Sequence, residues 1–212
     1  CLGTAAGVLG MGLIDDVESI LRQLPDVRQV VLFSATMPSE IRRLSKRYLK
    51  DPAEITIQTK DQEARRIRQR YITVPISHKL EALRRVLDAC GSEGVIIFAR
   101  TKAITLTVAE SLEATGHQVA VLNGDVPQSQ RERTVERLRS GTVDILVATD
   151  VAARGLDVDR IGLVVNYDMP FDSEAYVHRI GRTGRAGRSG EAVLFVTPRE
   201  RRFISNMERA SG

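Results

Sequence analysis

Ile145-Leu146-Val147-Ala148-Thr149-Asp150 is a short apolar run without polar alternation, closed by a hydroxyl and a carboxylate. A strand that is apolar at every position is buried on both faces, the habit of parallel sheets covered by helices on each side. The same pattern recurs at Val95–Phe98, Val119–Leu122 and Leu163–Asn166, and more loosely at Arg70–Val74 and Ala192–Val196. Helical periods lie between them. Leu80, Leu83 and Leu87 make one apolar stripe, and the segment Gln128–Arg139 opens after Pro127 and stops at Gly141. This alternation predicts βαβ units and an α/β fold with a doubly wound parallel sheet.

Ahead of these units the chain carries a smaller set: a helix around Asp16 to Leu24, a strand Val30–Phe33, a helix Ser39–Tyr48 and a strand Glu54–Ile57. Two strands do not close a core. The polar, charged stretch Thr59–Gln69 reads as a linker. The expected division is residues 1–60 as an incomplete N-terminal unit running into the linker, and 61–208 as a full α/β domain.

Of the 212 residues, 42% are hydrophobic and 27% charged, the balance of a soluble globular protein with material for a core. Thirty-one basic against 27 acidic residues give +4, too small to establish a polyanionic partner, so the placement of the arginines must carry that argument. Cys1 and Cys90 have no framework spacing, which excludes a disulfide scaffold and points to a reducing, cytoplasmic setting. His78, His117 and His178 are scattered and complete no ligand cluster, so no metal is expected. The uncharged run Cys1–Ile14 is too short to span a bilayer and lacks the basic region of a signal peptide, so no membrane is expected. A start at cysteine instead of methionine points to a missing upstream segment.

In open parallel sheets ligands gather outside the carboxyl ends of the strands. The residues leaving those ends are Ala99, Arg100 and Thr101, then Asn123, Gly124 and Asp125, then Thr149–Asp157, a set of small, polar and basic groups suited to phosphates. The helix after Gly124 brings Gln128 and Arg131 to its N-terminal end, where a backbone phosphate fits. From the residues alone, ordinary turns and a solvated pair remain open. The strongest signal is His178-Arg179-Ile180-Gly181-Arg182-Thr183-Gly184-Arg185 followed by Ala186-Gly187-Arg188, which sets arginines at every third position with glycines between. Glycines let the backbone approach a ligand, and guanidiniums grip phosphate oxygens. A flexible arginine/glycine loop holding RNA loosely is the rival reading. Nowhere does Gly-x-x-x-x-Gly-Lys-Ser/Thr occur, and without that loop Asp150 reads as a turn residue instead of a metal ligand.

Taken together, Ser34-Ala35-Thr36, Ile96-Ile97-Phe98, Gln128-x-x-Arg131, the run Ala148-Thr149-Asp150-Val151-Ala152-Ala153-Arg154-Gly155-Leu156-Asp157-Val158 and HRIGRTGR resemble, in order and spacing, the DEAD-box ATP-dependent RNA helicases, most of all the bacterial cold-shock type. The resemblance runs from about Met11 to about Glu208. It implies a RecA-like, P-loop NTPase-type C-terminal domain with a remnant of the N-terminal RecA-like domain before it. It also implies that Arg182 and Arg185 are arginine fingers, and that Gly155 and Asp157 meet the nucleotide, the aspartate at its ribose. Arg100, Thr101, Gly124, Gln128, Arg131 and Thr149 then hold the RNA sugar-phosphate backbone without sequence preference, while Ser34, Thr36 and His178 couple nucleotide state to domain closure. ATP with Mg2+ would be held mainly by the N-terminal domain of the parent protein, with none tightly bound to this chain.

The chain departs from the family at Gly3-Thr4-Ala5-Ala6, where an Asp-Glu-Ala-Asp tetrad is expected. No carboxylate there can hold magnesium or orient a water. The resemblance thus implies half of an RNA-stimulated ATPase that unwinds short duplexes, inactive alone, with RNA and the N-terminal RecA-like domain as partners. The rival is a catalytically incomplete RNA-binding or interaction module that kept the fold. A Rossmann-type enzyme is not expected, since no Gly-x-Gly-x-x-Gly follows a strand with an acidic residue beyond it.

Overall fold

The computed structural model describes residues 14–25, 28–33, 37, 39–56, 67–91 and 93–211. The chain divides into two compact units, Cys1–Gln58 and Thr59–Gly212. In the first, helices α1 (Ile14–Gln23) and α2 (Ser39–Tyr48) bury Leu21, Ile41 and Leu44 together, with Val17 and Leu32 against them. Glu18 binds them electrostatically, accepting from Arg22 at 2.9 Å and Arg47 at 3.1 Å. The strands expected at Val30–Phe33 and Glu54–Ile57 are not formed over their described residues, 30–33 and 54–56. A strand needs a neighbour for its N–H and C=O groups, and among the described residues this unit offers none.

The second unit runs β1 (Ile67–Thr73), a 3-10 turn (Ile76–His78), α3 (Lys79–Cys90), β2 (Val95–Phe98), α4 (Lys102–Glu113), β3 (Val119–Leu122) and α5 (Gln128–Ser140). It continues with β4 (Ile145–Ala148), α6 (Asp150–Ala153), β5 (Leu163–Asn166), α7 (Ser173–Ile180), β6 (Gly190–Val196), a 3-10 turn (Arg201–Phe203) and α8 (Ile204–Ser211). The six strands form one parallel sheet in the order β1-β6-β5-β2-β4-β3. The expected bounds hold for β2, β3, β4 and β5, whereas β1 begins at Ile67, inside the stretch read as linker. Ile67 explains the difference: it stands opposite Gly190 in the ladder with β6 and packs against the cluster around Ile180 and Ala192.

Alternate strand residues serve opposite faces. Val95, Ile97, Ile145, Val147, Leu163, Val165 and Phe195 meet Leu83 and Leu87 of α3 and Val108 and Leu112 of α4. Ile96, Phe98, Leu146, Ala148 and Val164 meet Leu138 of α5 and Ala152 and Ala153 of α6, while Ala192, Leu194 and Val196 meet Tyr176, Ile180 and Met207. Covering both faces makes β2 and β4 apolar at every position and leaves polar chemistry to the ends of the strands and their loops. Local signals set those loops. Thr101 caps α4 by accepting from Ile104 N at 3.2 Å, and Asp172 caps α7 by accepting from Ala175 N at 2.7 Å. Among the described residues no helix is long and apolar enough to cross a membrane.

Two buried tyrosines make stability fall at high pH. Tyr176 donates to Gln69 Oε1 at 3.0 Å, and burial pushes its phenol up to about 12. Burial, and then Asp168, push Tyr167 up to about 12 as well. The unfolded chain releases these protons near pH ~10. Between about pH 10 and 12 the folded state therefore binds more protons than the unfolded, and stability fully present below that window is lost as pH rises through it. In thermal melts, Tyr176→Phe should lose less Tm than wild type between about pH 9 and about pH 11; equal losses would show that Tyr176 ionises freely in the folded state.

Candidate functional site

The carboxyl edge of the sheet places Arg100 and Thr101 after β2, Gly124 after β3 and Thr149 after β4. These strands are neighbours in the order β2-β4-β3, so the four residues line one continuous edge. Arg100 and Thr101 are exposed, and Gly124 sits in an open turn where the Asn123 side-chain oxygen accepts from Asp125 N at 3.0 Å. Gln128 and Arg131 begin α5 beside that turn. Gln128 donates to Glu132 at 2.9 Å, while Arg131 donates to the Arg154 carbonyl and thereby touches the segment leading to Gly155. Arg131 thus ties the edge to the segment that precedes Gly155.

Beneath the edge lies a buried polar clasp. Arg179 is 3% exposed. Its Nε and one terminal nitrogen donate to the two oxygens of Asp150 at 2.6 and 2.8 Å, and its other terminal nitrogen donates to Asn166 Oδ1 at 3.1 Å and the Asp168 carbonyl at 2.8 Å. Its guanidinium lies 5.2 Å from the Phe98 ring centre. Asp168 extends the network: its carboxylate accepts from buried Lys79 at 2.8 Å and from the Arg100 backbone N–H at 2.9 Å. Five elements are tied by side chains whose function is to hold the loops. Asp150 is therefore not a free turn residue but the first residue of α6 and the partner of Arg179.

The arginine loop lies elsewhere. It leaves the C-terminus of α7 and is pinned where the chain enters β5, because the Thr183 hydroxyl donates to the Ile161 carbonyl at 2.6 Å. Gly184 has φ +69°, and a side chain there would place its Cβ 2.8 Å from Ile67 Cγ1. Gly190 faces Thr183 and lies so close that a Cβ would come within 2.6 Å of the Gly184 nitrogen. Only glycine fits either position. The packing presents Arg182 and Arg185 side by side. Arg182 donates to the Leu156 carbonyl at 2.6 Å and the His178 carbonyl at 3.1 Å; Arg185 donates to the Gly181 carbonyl at 2.9 Å and pairs with Asp157. Burial, and then the neighbouring Arg185, pull the Arg182 guanidinium below the usual arginine range against the opposing effect of Asp157. Gly155 and Asp157 are exposed, and a side chain at Gly155 would meet nothing within 4 Å.

The structure thus brings Gly155, Asp157, Arg182 and Arg185 together and sets Arg100, Thr101, Gly124, Gln128, Arg131 and Thr149 along the edge. His178 is exposed on α7. Ser34 and Thr36 lie outside the described residues. Among the described residues no group of three His, Cys, Asp or Glu is placed to hold a metal ion. Lys79, Asp150, Asp168 and the internal role of Arg179 were not read from the sequence. The signal for Arg179 was present: helical spacing puts it on the buried face of α7 with Tyr176 and Ile180.

Comparison with known proteins identifies the family of the fold. The model of the helicase conserved C-terminal domain matches residues 78–187. The ATP-dependent RNA helicase DeaD of Mycobacterium tuberculosis is 56% identical over 99% of this chain, which spans 37% of that protein, and DeaD of Escherichia coli K12 is 57% identical over 98%, spanning 33%. The structure of Saccharomyces cerevisiae Dbp5 bound to RNA and ADP BeF3 superposes with a TM-score of 0.84 at 32% identity, over 98% of this chain and 55% of that one. The chain spans about a third of the length of the curated relatives it matches. A parallel sheet with this order, an arginine loop beside β5 and a match across 78–187 lead to one conclusion: the chain belongs to the helicase conserved C-terminal domain family, in its DEAD-box RNA helicase branch.

Proposed function

We propose that this chain supplies the C-terminal half of an ATP-dependent RNA helicase, holding single-stranded RNA by its backbone and offering Arg182 and Arg185 to a nucleotide held by the other half. Residues 61–208 are assigned to the helicase C-terminal domain and 1–60 to a remnant of the N-terminal RecA-like domain. The observation that carries the reading is the pairing of Arg182 and Arg185 with Leu156 and Asp157, the residues that directly follow Gly155, in the same unit as a carboxyl edge suited to phosphates.

The donor set suits parts of ATP and not magnesium. Two adjacent guanidiniums match anionic phosphate oxygens, and the Asp157 side chain, 78% exposed, can accept from a ribose hydroxyl. Two guanidiniums repel a divalent cation, and among the described residues no group of three His, Cys, Asp or Glu is placed to hold one; the reading assigns the magnesium to the N-terminal domain of the parent. When bound, ATP would supply the terminal phosphate that both halves grip in the closed state and that is transferred to water. Arg182 and Arg185 contribute fixed positive charge where negative charge grows, in a site whose loop is already locked by Thr183 and Gly190. Arg100, Thr101, Gly124, Gln128, Arg131 and Thr149 hold the sugar-phosphate chain, and His178 links the fingers to the opposing domain together with Ser34 and Thr36. Contacts of this kind hold a strand without reading its sequence. The second reading, an RNA-binding module without turnover, draws on one observation: both guanidiniums already have internal acceptors.

Alone, the chain should show no RNA-stimulated ATPase, because its sequence contains no phosphate-binding loop. Joined to an intact N-terminal domain it should regain turnover, and Arg182→Ala or Arg185→Ala should then lower kcat by about 10³-fold while ATP binding persists. Lysine should rescue poorly, since a point charge lacks the planar fork. Near-normal turnover in both alanine variants would remove the fingers and favour the module. For RNA, Arg131→Ala should weaken every homopolymer about equally and reduce the slope of log affinity against log salt by about 1. A loss confined to one sequence would contradict backbone recognition.

A further inference from the structure

Next to the β2 end of the phosphate edge lies a groove of about 690 Å3, lined among others by Arg100, Met169, Phe171, Phe203, Asn206 and Met207. It opens over the carboxyl ends of β5 and β6, the strands that follow β2 in the sheet on the side away from β4. Arg100 therefore belongs to both the edge and the groove. Phe171 is 87% exposed, on the loop from β5 to α7 just before the Asp172 cap, and Phe203 is 38% exposed on the 3-10 turn before α8. Met169 and Met207 are buried beneath them. The Arg202 guanidinium lies 4.8 Å from the Phe203 ring centre. An exposed aromatic on its own calls for no explanation; two sharing a groove with two methionine side chains and an arginine do.

The charge around the groove selects the occupant. Its two lining carboxylates are turned to protein donors: Asp172 accepts from Ala175 N at 2.7 Å, and Glu200 accepts from Thr197 N at 2.9 Å and Thr197 Oγ1 at 2.7 Å. Arg199, Arg201 and Arg202 stand exposed beside them. An apolar peptide side chain could use the walls but would gain nothing from these cations, whereas a nucleotide uses both. Bases stack on phenyl and guanidinium faces, and the phosphate beside the base meets the arginines.

We propose that this groove is a subsite for one unstacked base of single-stranded RNA, at the end of the backbone path that passes Arg100. The proposal rests on the RNA-holding reading above. It adds base stacking at one end of a path that otherwise touches only sugar and phosphate, and so fixes where the strand leaves the domain. Stacking of this kind is tolerant of sequence, because every base offers a π face.

The chain contains no tryptophan, so Phe171→Trp places the sole indole in the groove. Short oligouridylate should quench that indole along the same saturation curve that anisotropy of the labelled RNA gives, and an oligomer of equal length with abasic ends should bind without quenching. Phe171→Ala should weaken oligouridylate by about tenfold and the abasic oligomer by less than about twofold. Phe171 is exposed, so these variants keep the fold. RNA binding that leaves the indole emission unchanged, with Phe171→Ala at wild-type affinity, overturns the subsite and leaves the RNA-holding reading intact. Failure of the wild-type chain to bind either oligomer overturns both.

Discussion

A guanidinium buried to 3% exposure is tolerable only if its charge and its donors are met, and Arg179 meets them with Asp150, Asn166, the Asp168 carbonyl and the face of Phe98. Its partners come from α6, from the end of β5 and from the end of β2, while Arg179 itself stands on α7. The constraint is therefore geometric as much as energetic. A planar fork fixes the direction of α7 relative to the sheet, and α7 delivers the loop that carries Arg182 and Arg185. The same residue fixes Asp168, whose carboxylate orients the Arg100 backbone and receives Lys79.

Two regions with different chemistry are thereby built on one frame. The edge of β2, β4 and β3 carries amides, hydroxyls and guanidiniums of a kind that suits phosphates, and the loop beyond α7 carries paired guanidiniums near Gly155 and Asp157. Arg131, reaching the Arg154 carbonyl, ties the edge to the segment that leads to Gly155 and Asp157. A strand held at the edge and a nucleotide met at the loop would thus act on elements that share one buried anchor.

Much of this was legible because burial on both faces writes a simple signature. β2 and β4 are apolar at every position and β5 at all but its last, Asn166, and their loops follow from the strand ends. The edge residues were found for that reason. The arginine loop was not placed by the same rule, since it leaves a helix and docks beside Ile161, at the opposite end of β5. Charged residues with internal roles were also hidden, because an arginine that staples carbonyls looks like any other in a sequence. Arg160 shows this, donating to the Leu138 and Val143 carbonyls at 3.0 and 3.2 Å and pairing with Asp144. At β1 the charge of the Thr59–Gln69 stretch concealed Ile67, whose partner across the ladder, Gly190, is more than a hundred residues away. In the first unit residues 30–33 and 54–56 form no strand for the complementary reason: among the described residues their β-rich composition has no ladder to join.

The most direct test of the shared anchor is a double-mutant cycle in urea, with Arg179→Met, Asp150→Ala and the pair of changes, each read by equilibrium unfolding. The account predicts strong coupling. Asp150→Ala strands a buried cation and should cost about 3 kcal/mol, and adding it to Arg179→Met should cost little more, leaving a coupling of about 2 kcal/mol or above. Additivity to within about 0.5 kcal/mol would show that Arg179 and Asp150 act independently, and that α7 is held to the sheet by apolar packing instead.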